Sequence, residues 1–153
     1  MGGFRIETLI DAPAERVFDA ARDIDLHVES MAHTDETAIA GRTAGKIELG
    51  ESVTWQARHI GLVMQLTSKI TVFDPPRRFV DEQVSGPFAG FRHEHRFDPA
   101  GDRTIMVDEW EHTSPFGLLG RIVDAVVLDR YLRRQLRARA RTIRIAAERA
   151  ALA

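Results

Sequence analysis

Between Phe91 and Pro99 the chain reads FRHEHRFDP. In an extended strand successive side chains alternate in direction, so Phe91, His93, His95 and Phe97 share one side and Arg92, Glu94 and Arg96 the other. The phenylalanines make theirs the inner side. Both imidazoles are then expected to face the interior, roughly 7 Å apart along the strand. Imidazoles so placed have three uses: ligating a metal, moving protons, or satisfying hydrogen bonds in a polar cavity. A metal needs a third and a fourth ligand converging on it. Asp81, Asp108, His112 and His59 are the candidates on neighbouring strands, but no second metal-like spacing accompanies them, so no metal is expected.

The segment RTIMVDEWEHT places Thr104, Met106, Asp108, Trp110 and His112 on one parity and Ile105, Val107, Glu109 and Glu111 on the other. Two acids mark the second set as outer. Asp108 and Trp110 should therefore lie inside, next to the histidine strand. A buried carboxylate has to be paired or hydrogen-bonded. A contact from Asp108 to His93 or His95 would satisfy it and would also be a usable acid/base pair. In RFVDEQVSG the pattern is less decisive, with Phe79, Asp81 and Gln83 set against Val80, Glu82 and Val84; the first set is taken as inner, although a bulge would reverse it. Trp55 shares its parity with Val53 and Ala57 and reads as a wall residue, as apt for core packing as for ligand contact.

The elements that must position these residues follow from period. Phe4 to Asp11 alternates as a first strand. Ala12 to Ile24 reads as a helix with Asp11 as N-cap, Pro13 in the first turn and Val17, Phe18 and Ala21 as its buried stripe. Asp23 to Met31 reads as a second short helix. From Thr34 to Thr113 the chain is β throughout: Thr34 to Ala40, Lys46 to His59, Leu62 to Phe73, Arg78 to Val84, Phe88 to Phe97 and Arg103 to Thr113, divided by glycine- and proline-rich turns. Short connections between six or seven strands imply an antiparallel meander. The last segment changes to a helical period, with Leu119, Ile122, Val126, Leu132, Leu136, Ala140, Ile143 and Ala147 three or four residues apart or at their sum. Taken from Phe116 to Arg149, it would be a helix of roughly 50 Å, most deeply covered over Leu118 to Leu128.

At 153 residues, 44% hydrophobic and 29% charged, the chain has the size and composition of one globular domain. The absence of cysteine excludes disulfides, thiol nucleophiles and thiolate metal sites, and fits an intracellular, cytoplasmic protein. The N-terminal MGGFRIE reads as neither a secretory signal nor a membrane span, and Ile6 breaks the myristoylation pattern. Charge is uneven: from Pro115 onward nine arginines face three acids, a balance of +6 on a body of −8. The arginines are expected on a solvated helix face, meeting acids of the same fold; a peripheral membrane contact is the alternative use of such a face. Nucleic acid is not expected, since a single tyrosine offers no stacking platform.

The segments IETLIDAPAERVFDAARDID, PPRRFVDEQVSGPFAGFRHEHRFDP and DEWEHTSPFGLLGRIVD resemble members of the START-like superfamily, which includes polyketide cyclases, aromatase/cyclases, lipid-transfer domains and pollen-allergen-type proteins. The resemblance spans essentially the whole chain, 1–153, as one domain. It implies an α+β helix-grip fold: a curved antiparallel sheet of six or seven strands wrapped around a long C-terminal helix, with two short helices after the first strand. It also implies a cavity between sheet and helix that holds a hydrophobic or amphipathic molecule such as a lipid, polyketide or quinone. Trp55, Met64, Leu66, Phe91, Met106, Trp110, Ile122 and Val126 would shape its apolar volume. In cyclase-type members, polar cavity residues shuttle protons for ring closure and dehydration; here His93, His95, Asp108 and Asp81 are the residues for that role. The two uses, binding and acid/base catalysis, stay open. No nucleophile motif, phosphate loop or dinucleotide fingerprint is present, so no cofactor is expected. A homodimer is compatible with everything above.

Overall fold

Period-two alternation from Thr37 to Thr113 and at the N-terminus folds into a single antiparallel sheet, seen in a computed structural model that describes residues 2–115, 117, 119, 122 and 127–153. Its strands are β1 (Gly2–Ile10), β2 (Thr37–Gly41), β3 (Ser52–His59), β4 (Leu62–Asp74), β5 (Arg78–Ser85), β6 (Gly90–Ala100) and β7 (Arg103–Thr113). They lie in the order β1-β7-β6-β5-β4-β3-β2. This is a meander whose first strand returns to pair with the last. Two helices, α1 (Ala14–Ala21) and α2 (Ile24–Ser30), and a 3-10 turn (Ala32–Thr34) connect β1 to β2, and a long helix, α3 (Asp129–Leu152), ends the chain. The arrangement is the helix-grip fold that the sequence motifs imply.

Local physics sets the departures from the periodicity reading. Helix α1 is started by Pro13, at φ −68°, rather than capped by Asp11. Asp11 instead pairs with Arg103 at 3.1 Å and donates its N–H to Glu148 on α3. Asp23 caps α2, its carboxylate accepting from the N–H groups of Asp25 and Leu26. The strand expected from Lys46 begins only at Ser52, because Gly45 and Gly50 take positive φ and break the ladder. Leu49, which shares the parity of Val53 and Trp55 in the sequence, is exposed as a result, whereas Ile47 remains buried. In β4 a bulge between Ile70 and Val72 reverses the parity. Val72 then pairs with Val80, and Phe73 turns inward to meet Phe18 at 5.4 Å.

The core has two parts. In one, Phe18 of α1 is the hub, its ring 5.4 to 5.6 Å from those of Phe73, Phe79 and Phe97, with Met106 and Ile143 packed in the same cluster. In the other, Phe4, Ile6, Phe91 and Trp110 pack beneath Leu132 and Leu136 of α3. Helix α3 rests chiefly on β1, α1 and α2. Away from these contacts, the concave face of β3 to β6 borders a chamber rather than a helix.

Two expectations about the C-terminal segment change. Leu119, Ile122 and Val127 are exposed rather than deeply covered, because the buried stripe of the described helix runs through Gln135, Ala140, Ile143 and Ala147 further along. The remainder of the proposed 116–128 helix start, Val126 included, falls largely outside the described residues. The arginines also divide differently. Arg130, Arg134, Arg137 and Arg141 are exposed and make no ion pair among the described residues. Arg133 lies over the Phe4 ring at 4.8 Å, and Arg139 turns into the interior. The ion pairs occur on the outer face of the sheet instead, where Arg5 and Arg96 meet Glu109, and Arg78 and Arg92 meet Glu94.

Phe18 is 2% exposed and joins the hinge, formed by α1 and α2, to three strands. Phe18→Ala should therefore cost about 3–5 kcal/mol in a denaturant titration. A loss below about 1 kcal/mol would mean that the hinge is not anchored through this ring.

Candidate functional site

Strand register brings the chemistry together in two rows. Asp81 pairs with His93 and His93 with Trp110, forming one row across β5, β6 and β7; Phe79, His95 and Asp108 form the next. The polar contacts run diagonally between the rows. His93 Nε2 is 2.9 Å from Asp108 Oδ1, and His95 Nε2 is 2.8 Å from Asp81 Oδ2. His95 Nδ1 also reaches Asp108 Oδ1 at 3.1 Å, and His93 Nδ1 lies 4.0 Å from Asp81 Oδ2. These shared acceptors draw the two imidazoles to a centroid separation of 3.7 Å, about half the spacing that strand rise alone predicts.

Helix α3 closes the group. The Arg139 guanidinium donates to the Ala21 carbonyl at 2.7 Å and stands 3.4 Å from His95 Nδ1. Phe79 stacks on the other side of His95 at 4.2 Å. His95 and Asp108 are sealed, at 0% and 3% exposure, whereas the Asp81 side chain keeps 18%. Burial alone would raise the Asp108 carboxyl, but hydrogen bonds from His93 and His95 outweigh it and hold the group well below the usual carboxylate range. Asp81 follows the same logic, with burial opposed chiefly by the His95 hydrogen bond, which holds its carboxyl below the usual range. Burial, reinforced by the neighbouring His95 charge, pushes His93 down to about 4. His93 is thus neutral near pH 7: Nε2 carries the hydrogen toward Asp108, and Nδ1 presents a lone pair on the Asp81 side.

The first row opens onto a chamber of about 660 Å³ between the concave sheet and α3. Trp55, Met64, Leu66, Phe91 and Trp110 line it, and so do Asp81 and His93. His95 and Asp108 lie behind the lining. Met106, expected in the wall, sits fully buried in the Phe18 cluster, because its position on β7 falls beneath the hinge. Ile122 is exposed and not part of the lining, and Val126 lies outside the described residues.

A second polar group also lines the chamber, and periodicity gave no pointer to it. His59 Nδ1 meets the Tyr131 hydroxyl at 2.5 Å, and His27, stacked on Trp55 at 4.1 Å, bonds Glu36. Gln135 of α3 bonds His33 of the 3-10 turn. The His59–Tyr131 and His33–Gln135 contacts join elements far apart in sequence, so no local pattern reports them. Arg139 did carry a signal, since it stands between Leu136 and Ile143 on the side of α3 where the spacing calls for apolar residues.

The pKa directions set the sign of acid stability. His93, with a folded value near 4 against 6.5 for a free imidazole, binds its proton more readily in the unfolded chain, so stability is lost as pH falls from about 6.5 toward 4. His59, lowered by burial, adds to the same loss. Asp81 and Asp108 sit below 3.8 when folded, so their contribution is complete above that value and disappears at lower pH. Denaturant midpoints measured in chelator-containing buffer should fall between pH 7 and 4.5, with a smaller fall in His93→Gln. A flat wild-type profile over that interval would contradict the burial of a neutral His93.

The chain matches the family model described as polyketide cyclase/dehydrase and lipid transport over residues 1–148. No curated protein matches it in sequence. Among solved structures it is similar to the protein TTHA0849 of Thermus thermophilus, at 17% identity and a TM-score of 0.77, covering 97% of this chain and 98% of the other. The Zhui aromatase/cyclase of Streptomyces sp. R1128 superposes at 17% identity and a TM-score of 0.72, over 96% and 93% of the two chains. Ginseng major latex-like protein 151 from Panax ginseng does so at 14% identity and 0.68, over 95% and 97%. At these identities the structural likeness speaks to the fold alone. The match over residues 1–148 goes further: the chain belongs to the polyketide cyclase/dehydrase and lipid transport family.

Proposed function

We propose that the protein binds a hydrophobic or amphipathic small molecule, of lipid, polyketide or quinone type, in the chamber between sheet and α3. The observation that carries this reading is the chamber itself, about 660 Å³ with an aromatic and aliphatic wall and a His–Asp row on one side. That volume falls among those of ordinary ligand pockets, and a few placed polar groups in an apolar wall are what orient a bound molecule. The apolar body of the ligand would lie against Trp55, Leu66, Phe91 and Trp110. A hydroxyl at its polar end would donate to the Asp81 carboxylate or to His93 Nδ1.

One observation favours chemistry in addition to binding. His93 reaches the chamber, is held by Asp108 and has a free lone pair at Nδ1 near neutral pH. In a cyclase or dehydratase, Nδ1 would take a proton from the carbon beside a ketone and return it to the departing hydroxyl as water leaves. Asp108 would position the imidazole and stabilise its charged form, and His95 and Asp81 would keep both carboxylate and ring in place.

Two measurements test these readings. Tryptophan fluorescence of delipidated protein should be quenched by cis-parinaric acid and by a naphthoquinone, and Leu66→Trp, which fills the chamber, should weaken both by at least about tenfold. Equal affinity in Leu66→Trp would place binding elsewhere. With a poly-β-ketone thioester as substrate, His93→Gln should keep affinity for the probes and lose ring closure. Unchanged turnover in that variant would remove the acid/base role and leave binding alone.

A further inference from the structure

The periodicity of FRHEHRF leaves the two histidines short of ligands for a metal, but the folded chain supplies a third. We infer that Asp81, His93 and His95 form a three-ligand site for a divalent transition-metal ion, with its open side toward the chamber. One donor atom from each of the three lies within 4.8 Å of the others. Ligand atoms about 2.1 Å from a common ion stand roughly 3 to 3.4 Å apart for octahedral to tetrahedral angles. Asp81 Oδ2 brackets that range, at 2.8 Å from His95 Nε2 and 4.0 Å from His93 Nδ1. Sub-ångström movement of one carboxylate would equalise them.

The outer contacts carry the inference further than the donor set alone. A metal-bound imidazole typically gives its other N–H to a carboxylate, which fixes the ring and raises its basicity. Here both non-ligating nitrogens, His93 Nε2 at 2.9 Å and His95 Nδ1 at 3.1 Å, face the same Asp108 oxygen. Asp108 is sealed from solvent and positions the two rings together. An isolated hydrogen-bonding histidine needs no such shared partner. The ion would replace the hydrogen that bridges His95 Nε2 and Asp81, releasing it to solvent. Asp81 and Asp108 supply two negative charges, and Arg139, 3.4 Å from His95 Nδ1, supplies one opposing positive charge.

Two imidazoles and one carboxylate suit zinc, ferrous, cobalt or nickel ions rather than magnesium or calcium, which require oxygen ligands. Three protein ligands also leave coordination positions free, the pattern of sites that act on a bound molecule rather than merely hold a fold together. Asp81 and His93 line the chamber, so the free positions face it. The inference rests on these four side chains and is independent of which organic molecule the chamber takes.

Chelator-treated full-length protein titrated with Co²⁺ should develop visible d–d absorption saturating at one ion per chain, displaced by Zn²⁺. His95→Gln and Asp81→Asn should abolish the spectrum, and Asp108→Asn should weaken binding by about 10–100-fold. Long-range ¹H–¹⁵N spectra of the wild-type histidine rings with Zn²⁺ provide a reading that needs no variant: shifts should appear at His93 Nδ1 and His95 Nε2. Absence of stoichiometric Co²⁺ binding overturns the inference. So does binding that survives Asp81→Asn, or ring shifts confined to His27, His33 and His59 around the second polar group.

Discussion

The crossed contacts between two imidazoles and two carboxylates constrain everything around them. A carboxylate such as Asp108, 3% exposed, cannot remain charged in an apolar setting without donors directed at it. One diagonal contact and one direct cross-strand contact provide two for Asp108, and the second diagonal provides one for Asp81. Removing one member would leave a buried charge uncompensated, at a cost of about 3–5 kcal/mol. That cost fixes the register of β5, β6 and β7 relative to one another, since a slip by one residue would turn every member of the group to the outer face. It also reaches the helices, because Arg139 links His95 to the Ala21 carbonyl at the end of α1.

The chamber follows from how α3 is seated. Its buried stripe meets β1 and the helices α1 and α2, so part of the concave face of the sheet stays uncovered. Phe18 fills one end of that space, and Leu132 and Leu136 close over Phe91 and Trp110 at the other. What remains is bounded by the polar row of Asp81 and His93 and by the His59–Tyr131 and His27–Glu36 contacts. A molecule held there would meet hydrogen-bonding groups on two sides and apolar side chains elsewhere. The outer face of the sheet shows the opposite solution, with Val80 and Val107 buried beneath ion pairs of Arg78, Arg92 and Arg96. Charge there covers apolar surface and leaves the inner face free for other use.

The legibility of this structure in its sequence tracks how local each determinant is. The span of β7 was readable to the residue, and the inner parity of β6 was readable because two phenylalanines share the side of the histidines. The β4 bulge was not, since Ile70 and Val72 look equally inward in the sequence and only the demand of Phe18 for Phe73 decides between parities. Asp81 was visible only as one side of an evenly balanced strand; its role depends on a diagonal neighbour two strand positions away. The contacts at the second polar group were unreadable for a stronger reason. Glu36, Gln135 and Tyr131 acquire meaning only when α2, β3 and α3 meet, and periodicity contains no information about that meeting.

The same geometry explains why one scaffold supports readings as different as a carrier, an acid/base enzyme and a metal site. All three require a neutral His93 whose Nδ1 faces the chamber, and differ in what occupies the far side of that lone pair: an oxygen held in a hydrogen bond, a carbon-bound proton, or an ion shared with Asp81 and His95. Asp108 serves each case equally well, because it acts on Nε2 and never enters the chamber. His95 separates them. A carrier or a proton-shuttling enzyme needs its Nε2 only as a fixed donor to Asp81, whereas an ion needs that nitrogen stripped of hydrogen and aimed at the same point as its neighbours. Because Phe79 stacks on the ring at 4.2 Å and two carboxylates grip its nitrogens, His95 has no alternative orientation to offer. Whether a proton or a metal lies between His95 and Asp81 would therefore separate the metal reading from the other two, a distinction carried by one atom.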